Sequence, residues 1–383
     1  MKIHSLSYED LETGWKIENV QFGELNLLVG ASGVGKTMIL KAIMVLKELI
    51  NHKPNRAIKW NIRFEYMPNH EFLWGGQTQL SYSTLHDGYF EEEYFKHFGK
   101  ESIERNREGV ITHNGNTIRH LNQSISVLNL IEGYGSLLAR AGFRQLRLID
   151  SSVIRYFEKV PVHRLDSLME AYYKSRNTDR NFTEDPLQAH KAFYDIMNEG
   201  AIAMLYYMQK KEQEVFKEVK QELNSIFPNI NDVIVTNEIR DQSQDKGKYF
   251  KLYFKESEVN KWIPAENTSS GVLKTLLILS GIYGGERGSV LLIDEVENSL
   301  GVNCINQLIS SLVMSDQDFQ FIMTSHHPYV MNHISHSNWK LVTRKDNEVN
   351  VQDVDELIDF DKSKQESFIQ LVQLEQFHTG VTK

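Results

Sequence analysis

Residues 30–37 read Gly30-Ala31-Ser32-Gly33-Val34-Gly35-Lys36-Thr37 and fit the pattern G-x-x-x-x-G-K-[ST] of a phosphate-binding loop. The apolar stretch Leu25–Val29 predicts a strand before the loop, and apolar residues at helical spacing in Met38–Leu49 predict a helix after it. Glycines let backbone N–H groups surround phosphate oxygens, and a helix N-terminus adds its positive end. We therefore expect Lys36 to reach the β- and γ-phosphates and Thr37 to ligate Mg²⁺.

A second motif places two carboxylates after an apolar run. Val290–Ile293 predicts a buried central strand, and Asp294 and Glu295 follow it directly. Such a strand delivers acids to the carboxyl edge of an α/β sheet, where ligands bind. We expect Asp294 in the Mg²⁺ shell and Glu295 to polarise an attacking water. Lys36 and Asp294 lie 258 residues apart, so a large segment separates the two motifs.

Two further motifs carry small polar residues and histidines. Residues 268–272, Thr-Ser-Ser-Gly-Val, open a predicted helix over Ser270–Ile282 and offer either an anion site or an ordinary serine cap. Residues 319–328 predict a strand that ends in Thr-Ser-His-His-Pro. A histidine there could bond a γ-phosphate or position water. A metal site made of His326 and His327 is the rival interpretation, which the opposite directions of adjacent side chains disfavour.

Composition excludes several classes of protein. The chain has 383 residues, a net charge of −9, 41% apolar residues and 24% charged residues, which excludes a disordered chain and a general polycation. The single cysteine, Cys304, excludes internal disulfides and multi-cysteine metal sites and favours a reducing compartment. No secretory signal and no apolar run of about 20 residues is visible. We expect a cytoplasmic protein without membrane contact.

The predicted type of secondary structure changes twice along the chain. Strand patterns dominate residues 1–82 and 246–345, and helical patterns dominate residues 83–245. The sequence predicts an α/β nucleotide-binding domain formed by the two outer segments, an inserted, mainly helical lobe over residues 83–245, and an acidic tail with a helix over residues 346–383. The helices predicted within the lobe are Leu121–Leu130, Ser136–Arg147, Pro186–Met208 and Glu212–Ile226.

The four motifs, in this order and spacing, resemble the ATP-binding-cassette (ABC) class of ATPases. More closely they resemble its RecF/SMC/OLD-like branch, prokaryotic AAA-family ATPases with an ABC-type head. The resemblance covers residues 1–82 and 246–345. It implies a split mixed sheet flanked by helices, ATP and Mg²⁺ as cofactors, and two heads that pair head to tail.

By this resemblance, residues 30–37 are the Walker A motif, Asp294 is the Walker B aspartate and Glu295 the catalytic glutamate. Ser269 and Gly271 match the signature serine and its second glycine, and Ser269 would act on the ATP of the partner head. The signature departs from Ser-Gly-Gly-Gln by reading Ser-Ser-Gly-Val.

His326 matches the switch histidine of the same class. Residues 298–301, Asn-Ser-Leu-Gly, depart from the family by lacking the usual aspartate or histidine of the D-loop. Candidates for the Q-loop glutamine and for an aromatic residue on adenine are Gln77, Gln79, Trp15 and Tyr8.

Two charged clusters fall outside these motifs. Arg140, Arg144 and Arg147 lie at i, i+4 and i+7 of a predicted helix, so they would form either a face for DNA or RNA phosphates or an ordinary solvated face. The lobe has no sustained heptads, which excludes a long coiled coil. We interpret a later acidic run as a solvated tail; it consists of Asp353, Asp355, Glu356, Asp359 and Asp361.

The resemblance implies a Mg²⁺-dependent ATPase switch or scaffold that works as a homodimer or an assembly of dimers. Many bacterial proteins of this kind act in anti-phage defence with a separately encoded nuclease or toxin as effector. Two alternatives are a RecF-like DNA repair or recombination ATPase and a scaffold that binds ATP without hydrolysing it. DNA-stimulated turnover would indicate the first alternative, and tight ATP binding without turnover the second.

Overall fold

The computed structural model describes most of the chain, namely residues 1–81, 88–118, 122–130, 133–149, 201–239, 248–285, 288–313, 318–357 and 364–381. The chain divides into two compact units. The first unit comprises residues 1–148, 287–296 and 318–383, and the second comprises residues 149–286 and 297–317.

The described residues form strands in two sheets. The strands are β1 (Lys2–Asp10), β2 (Lys16–Gln21), β3 (Leu25–Val29), β4 (Ile58–Glu65), β5 (Glu71–Leu80), β6 (Gly88–His97), β7 (Glu101–Arg105), β8 (Ile111–His113), β9 (Asn116–Ile118), β10 (Leu146–Ile149), β11 (Ile230–Ile239), β12 (Lys248–Glu256), β13 (Ile263–Pro264), β14 (Val290–Ile293), β15 (Gln320–Thr324), β16 (Trp339–Lys345) and β17 (Glu348–Asp353).

Helices of very different length connect these strands. They are α1 (Lys36–Asn51), α2 (Val127–Leu130), α3 (Tyr134–Arg144), α4 (Ala201–Lys211), α5 (Gln213–Ile226), α6 (Ser270–Gly284), α7 (Val302–Val313), α8 (Pro328–His333), α9 (Lys364–Gln373) and α10 (Glu375–Thr379). None of the helices within the described residues is long and apolar enough to cross a membrane.

The first unit is built on a large mixed sheet with the strand order β10-β14-β15-β3-β16-β17-β2-β1-β4-β5-β6-β7-β8-β9. Parallel pairing joins β14 to β15, β15 to β3 and β3 to β16. All residues of β14 and β15 are buried, as their apolar sequences require of central parallel strands. The carboxyl ends of these strands therefore meet at one edge of the sheet.

Helix α1 starts directly after the glycine-rich loop and confirms the helix predicted there. It begins at Lys36 and runs for 16 residues. Its buried residues recur every three to four positions, which is the pattern of one helix face turned to the core. These residues are Ile39, Leu40, Ala42, Ile43, Leu46, Leu49 and Ile50.

Strands β6 to β9 lie within residues 83–245, where the sequence predicted mainly helices and did not predict these strands. Residues 88–118 instead extend the first sheet by antiparallel pairs. The apolar alternation is interrupted because two inward-facing positions carry charge: Glu93 and Arg105 are both buried, with 3.5 Å between carboxylate and guanidinium. Glu93 also accepts a hydrogen bond from Trp74 Nε1 at 3.0 Å. The division into head and inserted lobe stays a prediction.

The segment after residue 345 is also more structured than a solvated tail. Strand β17 pairs antiparallel with β16, and the predicted C-terminal helix is present as α9 and α10. The Asp353 carboxylate accepts a hydrogen bond from Lys340 Nζ, and Asp355 lies 3.1 Å from His336 Nδ1. Asp359 and Asp361 lie outside the described residues.

The second unit combines helices with a small antiparallel sheet, β11-β12-β13. Helix α5 confirms the helix predicted over Glu212–Ile226 and buries one face, at Phe216, Val219, Leu223 and Ile226. Helix α6 is mostly apolar and is buried at every residue from Gly271 to Ile282, including the charged Lys274. Of the helix predicted over Pro186–Met208, the described part lies in α4, and residues 186–200 are outside the described ranges.

Candidate nucleotide-binding site

The loop between β3 and α1 has a backbone that requires glycine. Gly35 precedes the first residue of α1 and adopts a φ of 113°. A Cβ at this position would lie 2.8 Å from Val349 Cγ2 on β17, closer than real Cβ atoms approach. Ser32 and Gly33 at the tip of the loop are exposed, whereas Val34 is buried. The loop is thus supported from one side and open at its tip.

The Lys36 ammonium lies inside the curve of this loop. Its Nζ donates hydrogen bonds to the carbonyl oxygens of Gly30 and Ala31, each at 2.7 Å. A cation fixed beside a helix N-terminus makes the loop electropositive, and helix N-termini bind phosphate by their free N–H groups and dipole. The arrangement fits the triphosphate of a nucleotide.

Thr37, Asp294 and Thr324 meet at the carboxyl edge of the sheet. The hydroxyls of Thr37 and Thr324 both donate to Asp294 Oδ1, at 3.0 Å and 2.7 Å. The Thr324 hydroxyl also accepts a hydrogen bond from the Glu295 N–H at 2.7 Å. Since Thr37 opens α1, Asp294 follows β14 and Thr324 ends β15, three separate elements position this cluster.

The donor atoms of the cluster fit a hard divalent cation. Mg²⁺ prefers oxygen ligands and is commonly bound through one or two carboxylates together with phosphate oxygens. Thr37 Oγ1 and Asp294 Oδ1 supply a hydroxyl and a carboxylate oxygen beside the loop. These two residues are the ones that would hold Mg²⁺.

Glu295 has a strained backbone. Its φ is 45°, in the left-handed region, which costs a residue other than glycine about 1–2 kcal/mol. The Glu295 N–H bonds the Thr324 hydroxyl, and the Val296 N–H bonds the Thr324 carbonyl at 3.0 Å. Glu295 is half-buried and follows β14 directly, so the residue lies at the carboxyl edge of the sheet. Strain of this kind concentrates at functional sites.

The serine and glycine predicted as a signature lie in the second unit, at the start of α6. Ser269 is exposed, and its Oγ accepts a hydrogen bond from the Val272 N–H at 3.3 Å, so it is the N-cap of the helix. Gly271 lies against the carbonyl oxygen of Ser299, where a Cβ would collide. The signature loop and the D-loop segment are therefore packed together.

The two adjacent histidines have different surroundings. His326 is exposed, two residues after the end of β15. His327 caps α8, because its Nδ1 accepts a hydrogen bond from the Tyr329 N–H at 3.2 Å. Within the described residues no group of three or more His, Cys, Asp or Glu side chains could hold a metal ion. The structure thus gives the rival His326–His327 metal site no third ligand among these residues.

The arginine stripe does not lie on one helix face as predicted. Helix α3 ends at Arg144, and Arg147 lies on β10. Arg140 is half-buried and donates from Nη1 to the side chain of Asn129 at 3.1 Å. Burial, with a smaller effect of the positive charge of Arg147, lowers the pKa of Lys47 to about 8. The prediction that the three arginines share one helix face is wrong, because the chain changes from helix to strand between Arg144 and Arg147.

The remaining candidates are tied to other parts of the first unit. The amides of Gln77 and Gln79 both donate to Glu91 Oε2, at 2.7 Å and 3.2 Å. Trp15 and Tyr8 are each only 5% exposed, and their ring centroids lie 6.0 Å apart. Both aromatic residues are packed in the core, so neither ring has a free face for adenine.

Two residues of the site were not predicted as parts of it. Thr324 bonds the Asp294 carboxylate and the Glu295 N–H, and Val349 supports the loop at Gly35. A signal for Thr324 is present in the sequence, because a hydroxyl residue ends an apolar strand just before His326. Val349 has no comparable signal, since it is one apolar residue in a strand far along the chain.

The fold is similar to that of solved SMC heads. An Smc head bound to the C-winged helix domain of ScpA matches with a TM-score of 0.50 and 13% identity, over 93% of this chain and 99% of that chain. An Smc head with an extended coiled coil, bound to the C-terminal domain of ScpA derived from Pyrococcus furiosus, matches with a TM-score of 0.46 and 12% identity, over 93% and 97%. The SMC head domain from Thermotoga maritima gives 0.41 and 12%, over 92% and 99%.

The first of these similarities shows that the fold is the ABC-type ATPase head of SMC proteins. No curated protein matches the sequence. The profile of a family described as "AAA domain, putative AbiEii toxin, Type IV TA system" matches residues 25–332, well over half of the chain. That span contains the glycine-rich loop, both carboxylates and His326, and the protein therefore belongs to this AAA-domain family.

Proposed function

We propose that the protein binds ATP with Mg²⁺ at the loop of residues 30–37 and hydrolyses it. The observation that carries the proposal is the cluster in which Thr324 joins Asp294 and Glu295 beside Thr37. This cluster brings the Thr37 hydroxyl, the Asp294 carboxylate and the residue Glu295 to the edge where the loop begins. These groups serve phosphoryl transfer, which depends on positioning and charge stabilisation.

Each residue of the site has a distinct task in this proposal. The backbone of the loop and Lys36 bind the β- and γ-phosphates. Thr37 and Asp294 hold Mg²⁺, which neutralises charge on the phosphate oxygens when it is bound. The Glu295 carboxylate orients the attacking water and accepts its proton. His326, exposed after β15, contacts the γ-phosphate side of the site.

We further propose that two copies pair head to tail, as the resemblance to ABC-type heads implies. Ser269 would then complete the site of the other copy. Its exposure at the N-terminus of α6, a 15-residue helix, supports this role, because a helix N-terminus stabilises a phosphate brought to it. Ser269 caps its own helix in the isolated chain, so the same oxygen would serve two functions.

The biological role we propose is a nucleotide-driven switch in the cytoplasm that controls a separately encoded effector, a nuclease or toxin, in anti-phage defence. The family description supports a partner, since a toxin–antitoxin system comprises more than one gene product. The trigger in this proposal is DNA or RNA, and double-stranded DNA is the form included in the ATPase assay.

The test of the ATPase proposal is Glu295→Gln. We expect the variant to bind ATP as tightly as the wild type and to turn it over at least about 100-fold more slowly, because an acid–base group has been removed without loss of volume. Glu108→Gln is the matched control, since Glu108 is an exposed turn residue of the first unit. Turnover is measured by phosphate release, with and without double-stranded DNA, and mass by light scattering.

Equal turnover of Glu295→Gln and wild type would remove Glu295 from the mechanism. Tight ATP binding by the wild type without any turnover would instead indicate a scaffold. An ATP-dependent doubling of mass supports pairing of heads, and stimulation by DNA would move the role toward repair.

A further inference from the structure

The outer side of the glycine-rich loop is covered by the C-terminal segment of the chain, residues 375–381, which we call the C-terminal clip. Gly380 follows α10 directly and lies beside Ala31 and Val34 of the loop. A Cβ at Gly380 would lie 3.2 Å from Ala31 Cβ and would collide with Val34 Cγ1. Ala31 and Val34 occupy positions that the phosphate-binding pattern leaves unspecified.

The clip has a defined attachment to the first unit. The Arg344 N–H donates to the Gly380 carbonyl at 2.6 Å, and Arg344 and Val381 form a parallel β-bridge. Arg344 belongs to β16, which pairs with β3 up to Leu341 and Val29, the last residue before the loop. The clip is therefore fixed to the strand next to the one that leads into the loop.

The conformation of Gly380 makes this contact selective for glycine. Its φ is 68°, and its N–H donates to the Gln376 carbonyl at 2.9 Å, so it ends α10 in the left-handed conformation. Val34 is 5% exposed, although the neighbouring tip of the loop, Ser32 and Gly33, is exposed. The Val34 side chain thus points away from the open side of the loop and toward the clip.

We propose that the C-terminal clip is a positioning segment of the nucleotide site: by packing Gly380 on Val34 and Ala31, it holds the loop in the curve that binds phosphate. The inference rests on the proposed function of the loop as the ATP site. The side chain of Val34 transmits the contact, while the backbone N–H groups of the same loop face the ligand. Displacement of the clip loosens the loop and weakens nucleotide binding without touching Asp294, Glu295 or Lys36.

The test uses Gly380→Ala in the full chain. The added methyl meets Val34 and strains a left-handed residue, so we expect the affinity for Mg²⁺ and a fluorescent ATP analogue to fall about tenfold. Gly99→Ala is the matched control: Gly99 also has a positive φ, 72°, but a Cβ there has no neighbour within 4 Å. Both variants carry the backbone strain, and only Gly380→Ala disturbs the loop.

A second variant separates a local contact from general destabilisation. Combining Gly380→Ala with Val34→Ala removes the Val34 methyl groups with which the new methyl collides, and the new methyl then takes over their packing contact, so the double variant should recover part of the lost affinity. The inference is overturned if the nucleotide affinity of Gly380→Ala lies within about twofold of that of Gly99→Ala. It is also overturned if the double variant recovers no affinity. If the wild type itself binds no nucleotide, the proposed function fails as well. If the wild type binds nucleotide but Gly380→Ala binds it as well as Gly99→Ala does, only the positioning role of the C-terminal clip is refuted.

Discussion

Thr324 shows how a single hydroxyl organises the site. It donates to Asp294 at 2.7 Å and accepts from the N–H of Glu295 at 2.7 Å, and it is 1% exposed. Both bonds are made by one atom, so one side chain fixes the metal-binding carboxylate and the backbone of the catalytic candidate together. A buried network of this kind is costly to leave partly unsatisfied.

Thr324→Val tests this arrangement. The change keeps the shape of the side chain but leaves a carboxylate oxygen and an N–H without this partner, so we expect the free energy of unfolding to fall by about 1–3 kcal/mol. Turnover should fall more than nucleotide affinity, since Glu295 is misplaced while the loop is intact. Thr324→Ser retains the hydroxyl and is the control. Equal denaturation midpoints and turnover in Val and Ser variants would contradict the role of the hydroxyl.

At the scale of elements, β5 begins and β6 ends beside two histidines, the half-buried His70 and the buried His97. His97 is 2% exposed, and its Nε2 lies 3.0 Å from His70 Nδ1. Burial, with a smaller effect of the positive charges of Lys100 and His70, lowers the pKa of His97 to about 4. The end of this strand pair is therefore built around an imidazole that stays neutral in the folded protein.

This pair predicts a pH dependence of stability. In the unfolded chain His97 takes up a proton below its ordinary pKa of about 6.5, but in the folded chain only near 4. The contribution of neutral His97 to the free energy of unfolding is fully present above about pH 6.5. As the pH falls toward 4 this contribution is lost, and it amounts to up to about 3 kcal/mol. Denaturant titrations of His97→Gln should show a weaker decline over that range than the wild type. Exposed His52→Gln should decline like the wild type, and a wild-type slope in His97→Gln would refute the assignment.

At the scale of the whole molecule, the catalytic candidates and the signature serine belong to different units. Lys36, Asp294 and Glu295 lie in the first unit and Ser269 in the second. Head-to-tail pairing predicts that inactive Lys36→Ala and inactive Ser269→Arg chains recover activity when mixed. In such a mixed dimer one site combines an intact loop from one chain with an intact serine from the other.

The matched control for this experiment mixes Lys36→Ala with Glu295→Gln. Both changes fall in the same unit, so every site in that dimer carries one of them and activity should stay absent. Turnover is measured across mixing ratios. Absence of recovery in the Lys36→Ala and Ser269→Arg mixture at every ratio would count against a site shared between chains.

The local sequence pattern was sufficient to predict those parts of the fold that a single continuous stretch of the chain specifies. The glycine-rich loop, the strand Leu25–Val29 before it and helix α1 were all predicted, because spacing and glycine content set backbone conformation locally. The same holds for β14 and its two following carboxylates. Strands β6 to β9 were missed because buried Glu93 and Arg105 interrupt the apolar alternation that marks a strand.

The sequence by itself therefore determined the type of fold and the residues that would bind phosphate and Mg²⁺. Only the tertiary structure decided which other residues support them: the Thr324 hydroxyl between the Asp294 carboxylate and the Glu295 N–H, Val349 behind Gly35 and Gly380 beside Val34. The physical reason is the distance along the sequence between the residues in contact. Short motifs fix the local backbone, whereas these contacts join residues 29 to 346 positions apart, and only packing of the whole sheet brings such residues together.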